Sequence, residues 1–231
     1  MSSWLGALLD LIYPGTCAVC GDFLTDGEKY ICEDCMKDLP LTYFWSWRDN
    51  PAEEMLWGRT YFDKVCSLFF YSRDNDYSAI VRKIKYSGQT ALGLYMGTVL
   101  GELMREDFSD VDYIVPVPVH FRRRWKRGYN QAEFIAKGIC RGLGRGEVLL
   151  NVLRRSRFAH SQTNVTMGSK WGNVKGTFSL RRGKIKIPNG AHIILVDDVL
   201  TSGATSEVCF DALSKIGNVR ISLATLAFVK K

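Results

Sequence analysis

The chain has 231 residues, of which 46% are hydrophobic and 12% aromatic, and its formal net charge is +7. That length and apolar content supply a substantial core and exclude a disordered or low-complexity chain, and no apolar run approaches the length of a membrane span. The basic balance suits polyanions, either pyrophosphate or nucleic acid.

Trp4, Leu5, Leu8, Leu9 and Ile12 fall at helical spacing and predict a short amphipathic helix over residues 1–13. The segment has no Lys or Arg, carries Asp10 and meets Pro14 before any small-residue cleavage site, so it does not read as a signal peptide, and a cytoplasmic location is expected.

Cys17, Cys20, Cys32 and Cys35 follow as C-x2-C-x11-C-x2-C, with a hairpin-like stretch over residues 22–30 between the pairs. Two ligands from each of two tight turns suit a closed tetrahedral zinc site with no open position for water. Two disulfides or four reduced core thiols are the alternatives. Cys66, Cys140 and Cys209 stand singly in apolar segments and read as core. A Trp-rich, Pro-punctuated connection over residues 39–61 packs this module onto the rest, which divides the chain into residues 1–60 and 61–231.

In the second part, strands are expected at residues 64–71, 113–116, 149–153, 193–196 and 221–228, and helices at 77–85, 91–105, 130–142 and, with Val208, Phe210, Leu213 and Ile216 at helical spacing, up to 216. Residues 173–180 read as an added hairpin. Alternating strands and helices imply an α/β fold on a parallel sheet.

Two segments carry the chemistry. Residues 114–120, Ile-Val-Pro-Val-Pro-Val-His, end a strand in Pro-linked turns, and a basic run and Arg127-Gly128-Tyr129-Asn130-Gln131 come next. Val117 and Pro118 with Gly128 and the following helix terminus suit a pyrophosphate loop, to which Arg127 adds bidentate recognition; plain strand termination is the alternative. Lys85, before Tyr86-Ser87-Gly88, reaches toward phosphate or is a solvated helix-end cation.

Residues 193–205 read IILVDDVLTSGAT. The apolar strand ends in Asp197 and Asp198, and ionised carboxylates accept hydrogen bonds from a sugar diol. Thr201, Ser202, Gly203, Ala204 and Thr205 are small and open a helix, where backbone N–H groups and the helix dipole attract a dianion. A buried strand with an ordinary helix cap is the alternative, although a cap does not require paired acids. No Walker lysine follows, which disfavours an NTPase loop.

This segment resembles the 5-phosphoribosyl-1-pyrophosphate motif of type I phosphoribosyltransferases. The resemblance implies a type I phosphoribosyltransferase-like parallel sheet flanked by helices, with the acids on the ribose hydroxyls and the loop on the 5-phosphate. The Cys module, PVPVH, RGYNQ, Gln162-Thr163 with residues 173–176, and VDDVLTSGAT together resemble the ComF family, which includes ComFC and GntX proteins. Val165 replaces the usual Leu, and Lys170 stands where Arg is usual, keeping charge but losing bidentate geometry.

The family resemblance implies a role in DNA uptake or processing during natural transformation, with phosphoribosyl pyrophosphate as ligand and single-stranded DNA and a competence helicase or DNA-processing protein as partners. Catalysis would be pentosyl transfer with pyrophosphate release, with Asp197, Asp198 and Arg127 as catalytic residues and Mg2+ chelating the sugar-pyrophosphate oxygens. A binding module that keeps the ligand site without turnover and a nucleotide-salvage transferase are the competing readings. The loop over residues 157–163 would close on the sugar, with His160 as acid or base or as an incidental surface residue.

Overall fold

The computed structural model describes residues 15–119, 125, 127–155, 177–181 and 186–230. The expected helix at 1–13, the His160 loop, Val165, Lys170 and residues 173–176 lie outside them. Five parallel strands form the main sheet in the order β1 (Val65–Tyr71), β7 (Arg220–Val229), β6 (His192–Leu200), β2 (Tyr113–Pro116), β3 (Glu147–Val148). The central strands are apolar on both faces and almost wholly buried, as a sheet covered on each side requires. This bears out the expected α/β architecture.

Helices α3 (Ser78–Tyr86), α4 (Thr90–Leu103) and α5 (Gln131–Leu143) connect β1 to β2 and β2 to β3, and α5 packs on β2 and β6. Helix α6 (Ala204–Leu213) joins β6 to β7 and packs against them and against the antiparallel pair β4 (Leu153–Arg155) and β5 (Phe178–Leu180). Apolar spacing selects the buried face of α3, where Ile80, Val81 and Ile84 turn inward.

Helices α4 and α5 approach until their backbones touch. Gly97 and Gly101 on α4, and Gly138 and Gly142 on α5, are each four residues apart and so share one face. A β-carbon on Gly97 would lie 2.4 Å from the Ile135 carbonyl oxygen, and one on Gly142 would lie 2.2 Å from that of Thr98. No side chain fits between the two helices at these four positions.

The connection before β1 seals that edge of the sheet. The N–H of Thr42 donates to the Leu68 carbonyl and the N–H of Phe70 to that of Pro40, so the edge strand finds backbone partners. Asn50 caps the short helix α2 (Pro51–Glu54), which follows α1 (Glu33–Lys37): its carbonyl accepts from Ala52 and Glu53 N–H, and its buried amide donates to the Val65 carbonyl at 3.0 Å. Phe44 and Trp45 are buried, the Phe44 ring lying edge-on to Phe70 of β1 and Phe228 of β7. At the amino-terminal edge of the sheet, the buried His192 ring places its two nitrogens 2.8 Å from Asp110 and 2.8 Å from Ser222. Burial works to raise the Asp110 carboxyl, but the Arg220 and His192 hydrogen bonds hold it down at about 2.

Three expectations need correction. Residues 149–153 are not one strand: β3 is confined to Glu147–Val148, the Leu149 N–H still reaches the Ile114 carbonyl, and the chain turns before Leu153 pairs with Leu180 instead. An apolar run does not tell which neighbour it pairs with. The strand at 193–196 extends through both acids to Leu200, because β7 continues to supply partners, Asp197 opposite Thr225 and Leu200 opposite Phe228. Between the cysteine pairs, residues 22–30 are not a hairpin: Phe23 bridges back to Thr16, which closes the turn of the first pair instead.

Candidate functional site

The four cysteine sulfurs of Cys17, Cys20, Cys32 and Cys35 lie within 4.8 Å of one another, and Cys20 and Cys32 are 3.8 Å apart. A zinc tetrahedron with metal–sulfur bonds of about 2.3 Å has edges of about 3.8 Å, whereas a disulfide needs about 2.05 Å. The four residues therefore fit structural Zn2+. Burial works to raise the Cys17 thiol, but N–H groups of Cys32 and Val19, each 3.4 Å from its sulfur, bring it down to about 6. Burial and then the neighbouring cysteines raise Cys35, so the metal's charge is what would hold the whole set as thiolates. The ring of Tyr30 packs against Tyr95 of α4 with centroids 5.5 Å apart, and Lys83 of α3 reaches the Cys17 carbonyl at 3.5 Å.

A cleft of about 1550 Å3 runs along the carboxyl ends of the strands. It is the sheet edge where open α/β folds bind ligands. The expected residues Lys85, Val117, Pro118, Arg127, Asp197, Asp198, Thr201 and Thr205 all line it. Tyr86, Tyr129, Gln131 and Arg155 line it as well, although the sequence reading gave them no role. Gln131 stands inside RGYNQ, which is the available signal; Arg155 belongs to the basic run Arg154-Arg155-Ser156-Arg157, whose charge suits a polyanion without singling it out. The Arg127 guanidinium sits over the Tyr86 ring, 4.9 Å from its centroid. Tyr129 donates its hydroxyl to the Ile84 carbonyl at 2.6 Å, and the Asn130 amide donates to the Val117 carbonyl at 3.1 Å. RGYNQ thus fastens α3, the β2 turn and the start of α5 together.

Because β6 continues through the acid pair, Asp197 and Asp198 lean to opposite faces of the sheet. Asp198 is 8% exposed, with Lys85 Nζ at 2.9 Å from one oxygen and the Gln131 amide donating to the other at 2.8 Å. Gln131 has no partner for its own buried carbonyl oxygen. Burial, and then the Asp198 charge, push the Asp197 carboxyl up to about 7, while Lys85 and Arg155 pull it back. Asp198 is therefore tied to Lys85 and Gln131, and Asp197 titrates near neutrality.

Beyond Leu200 the chain turns through Gly203, whose φ of +75° lies in the left-handed region, into α6. No side chain caps this helix terminus, so its first N–H groups carry no capping partner. Ser202, Gly203 and Ala204 do not line the cleft with Thr201 and Thr205. The back of the turn is occupied by the connection: Arg59 donates to the Ser202 carbonyl at 2.8 Å and pairs with Glu207, and a β-carbon on Gly203 would meet Leu56 Cδ2 at 2.3 Å. The Leu56 contact and the positive φ together favour glycine here.

Fold and site define an α/β chain with a parallel sheet, a cleft at its carboxyl edge and an amino-terminal four-cysteine ribbon. Residues 8–43 match the double zinc ribbon domain family. The chain is 26% identical over 216 residues to Competence protein F of Haemophilus influenzae, covering 91% of this chain and 83% of that protein. It is also 26% identical over 209 residues to DNA utilization protein YhgH of Escherichia coli K12, covering 87% and 86%. The resemblance to the ComF proteins therefore extends across nearly the whole chain. A solved allosteric regulatory enzyme of purine biosynthesis aligns with a TM-score of 0.39 and 18% identity, covering 62% of this chain and 30% of that one. Among the described residues, no helix is long and apolar enough to cross a membrane.

Proposed function

We propose that this chain binds 5-phosphoribosyl-1-pyrophosphate in the cleft and serves DNA uptake or processing during natural transformation, in the cytoplasm. The observation that carries the ligand is that one cleft joins the Asp197–Asp198 pair, Arg127 beside the Val117–Pro118 turn, and Thr201 and Thr205 at an uncapped helix terminus. The names of the relatives, competence and DNA utilization proteins, support the biological half.

In this reading the loop from Thr201 to Thr205 takes the 5-phosphate on backbone N–H groups and hydroxyls. Asp197 and Asp198 accept from the ribose hydroxyls, and Arg127 with the 117–119 backbone meets the pyrophosphate. Lys85, leaving Asp198 when the diol binds, pairs with phosphate. Asp197 and Asp198 are the cleft carboxylates that would meet Mg2+ together with ligand phosphates. Its chemistry there would be to neutralise charge on the leaving pyrophosphate. The reaction would be pentosyl transfer to an acceptor, with single-stranded DNA and a competence helicase as partners.

That both Asp198 oxygens are already engaged favours a second reading, a binding module that retains the ligand without turnover. Calorimetry with phosphoribosyl pyrophosphate and Mg2+ tests the first step, and absence of binding would overturn both readings. Pyrophosphate release with candidate acceptors then separates enzyme from module.

A further inference from the structure

We infer that Arg59, from the connection that follows the zinc module, is a positioning residue for the phosphate loop. The inference rests on the reading of Thr201 to Thr205 as the 5-phosphate site and says what gives that loop its shape.

Arg59 lies 143 residues from the loop in sequence, yet its Nη1 donates to the Ser202 carbonyl at 2.8 Å. Its Nε donates to Glu207 Oε2 at 3.1 Å, and Glu207 sits on the first turn of α6. Its side chain is only 20% exposed and that of Glu207 27%, so the pair is shielded from bulk water more than an ordinary surface bridge. One guanidinium therefore fixes both sides of the turn, the peptide before Gly203 and the helix after it. Planar fork geometry suits that double attachment, which a lysine reproduces only singly.

The consequence follows from the peptide bond. In a planar trans peptide the C=O and the next N–H point in opposite directions. Holding the Ser202 carbonyl toward Arg59 turns the Gly203 N–H away from Arg59 and toward the side on which Thr201 and Thr205 border the cleft. Leu56 packs on the Arg59 side, where a β-carbon on Gly203 would meet its Cδ2 at 2.3 Å. A loop peptide that flipped would present its carbonyl to the phosphate, replacing attraction with repulsion. Arg59 thus selects the donor-facing peptide before ligand arrives, and the helix terminus behind it is aimed at the same point.

The arrangement also gives the amino-terminal part a role in ligand binding that does not require it to touch ligand. Arg59 is held from behind by the Met55 carbonyl at 3.4 Å, within the segment that Asn50 anchors to β1.

Calorimetry on the full chain with two probes tests this: ribose 5-phosphate, which carries only the 5-phosphate, and inorganic pyrophosphate. Arg59→Gln should weaken ribose 5-phosphate on the order of tenfold and leave pyrophosphate unchanged. Arg59→Lys, able to restore one of the two attachments, should fall between Arg59→Gln and the parent. Glu207→Gln, which keeps Arg59 but loosens its anchor, should show a smaller loss with the same selectivity and serves if Arg59→Gln does not fold. Parallel weakening of both probes, or ribose 5-phosphate affinity within twofold of the parent in the variants, overturns the positioning role. A parent chain that does not bind ribose 5-phosphate at all overturns the phosphoribosyl reading together with it.

Discussion

Gly138 of α5 lies against Leu94 of α4 so closely that a β-carbon on Gly138 would sit 2.2 Å from the Leu94 carbonyl oxygen. The obstructing atom is backbone, so neither helix can yield without moving as a whole. Gly138→Ala should destabilise the fold by about 1–3 kcal/mol or more, even though alanine favours helices. Thermal melts check this: a variant as stable as the parent would show that the helices are not in backbone contact. Since α5 begins at Gln131, a displaced helix should also weaken ligand binding.

One zinc per chain is expected on Cys17, Cys20, Cys32 and Cys35. Metal analysis of the purified protein should find it, and Cys32→Ser should lower the content and loosen residues 15–38 to limited proteolysis, because site formation and local folding are one event. Native disulfides at these positions would overturn the assignment.

Asp197 and Asp198 should carry ligand affinity together. Asp197→Asn with Asp198→Asn keeps the shapes but removes both charged acceptors, and phosphoribosyl pyrophosphate should bind roughly tenfold to a hundredfold more weakly in calorimetry. Unchanged affinity would separate these residues from the ribose.

The pH dependence of Asp197 has a definite sign. Its carboxyl is pushed from an ordinary 3.8 up to about 7, by burial first and Asp198 second, so folding takes up a proton between those values. Its contribution to stability is full below 3.8 and is lost as pH rises through about 7. Asp197→Asn should therefore flatten the difference in melting temperature between pH 5 and pH 8. An undiminished difference would mean that Asp197 ionises normally. Asp110, held at about 2 by Arg220 and His192 against its burial, works the other way, its contribution being lost as pH falls toward that value.

Gly203→Ala carries two separable costs, contact with Leu56 Cδ2 at 2.3 Å and a φ of +75°. Combining it with Leu56→Ala removes the first and leaves the second, which is about 1–2 kcal/mol. The double variant should thus be more stable than the sum of the single losses predicts. Strict additivity in thermal melts would show that Leu56 does not cover the glycine.

The RGYNQ and VDDVLTSGAT segments were legible because each is local: an apolar run, a turn and a helix start follow one another within a dozen residues. Where partners were distant, the sequence was silent. Leu149 to Leu153 is apolar whichever strand it joins, and nothing in its pattern reveals that Leu180 will face Leu153. Nor does the run Asp197-Asp198 state that Lys85 and Gln131 will take both oxygens of the second acid, because those contacts join helices far apart in the chain.

By itself, the sequence determined the elements that hydrophobic period and local chemistry specify: the cysteine cluster, the buried parallel strands, the helix opened by a small-residue loop and the family resemblance. Tertiary structure alone decided what surrounds them. It set α4 against α5 through four glycines, extended β6 through the acids by giving it β7 as a partner, buried Asp197 so that its carboxyl is pushed up to about 7, and placed Leu56 and Arg59 behind Gly203. Periodicity reports which face of an element is apolar, whereas burial, charge pairing and steric exclusion depend on which other surface covers it, and that is a property of the assembled chain.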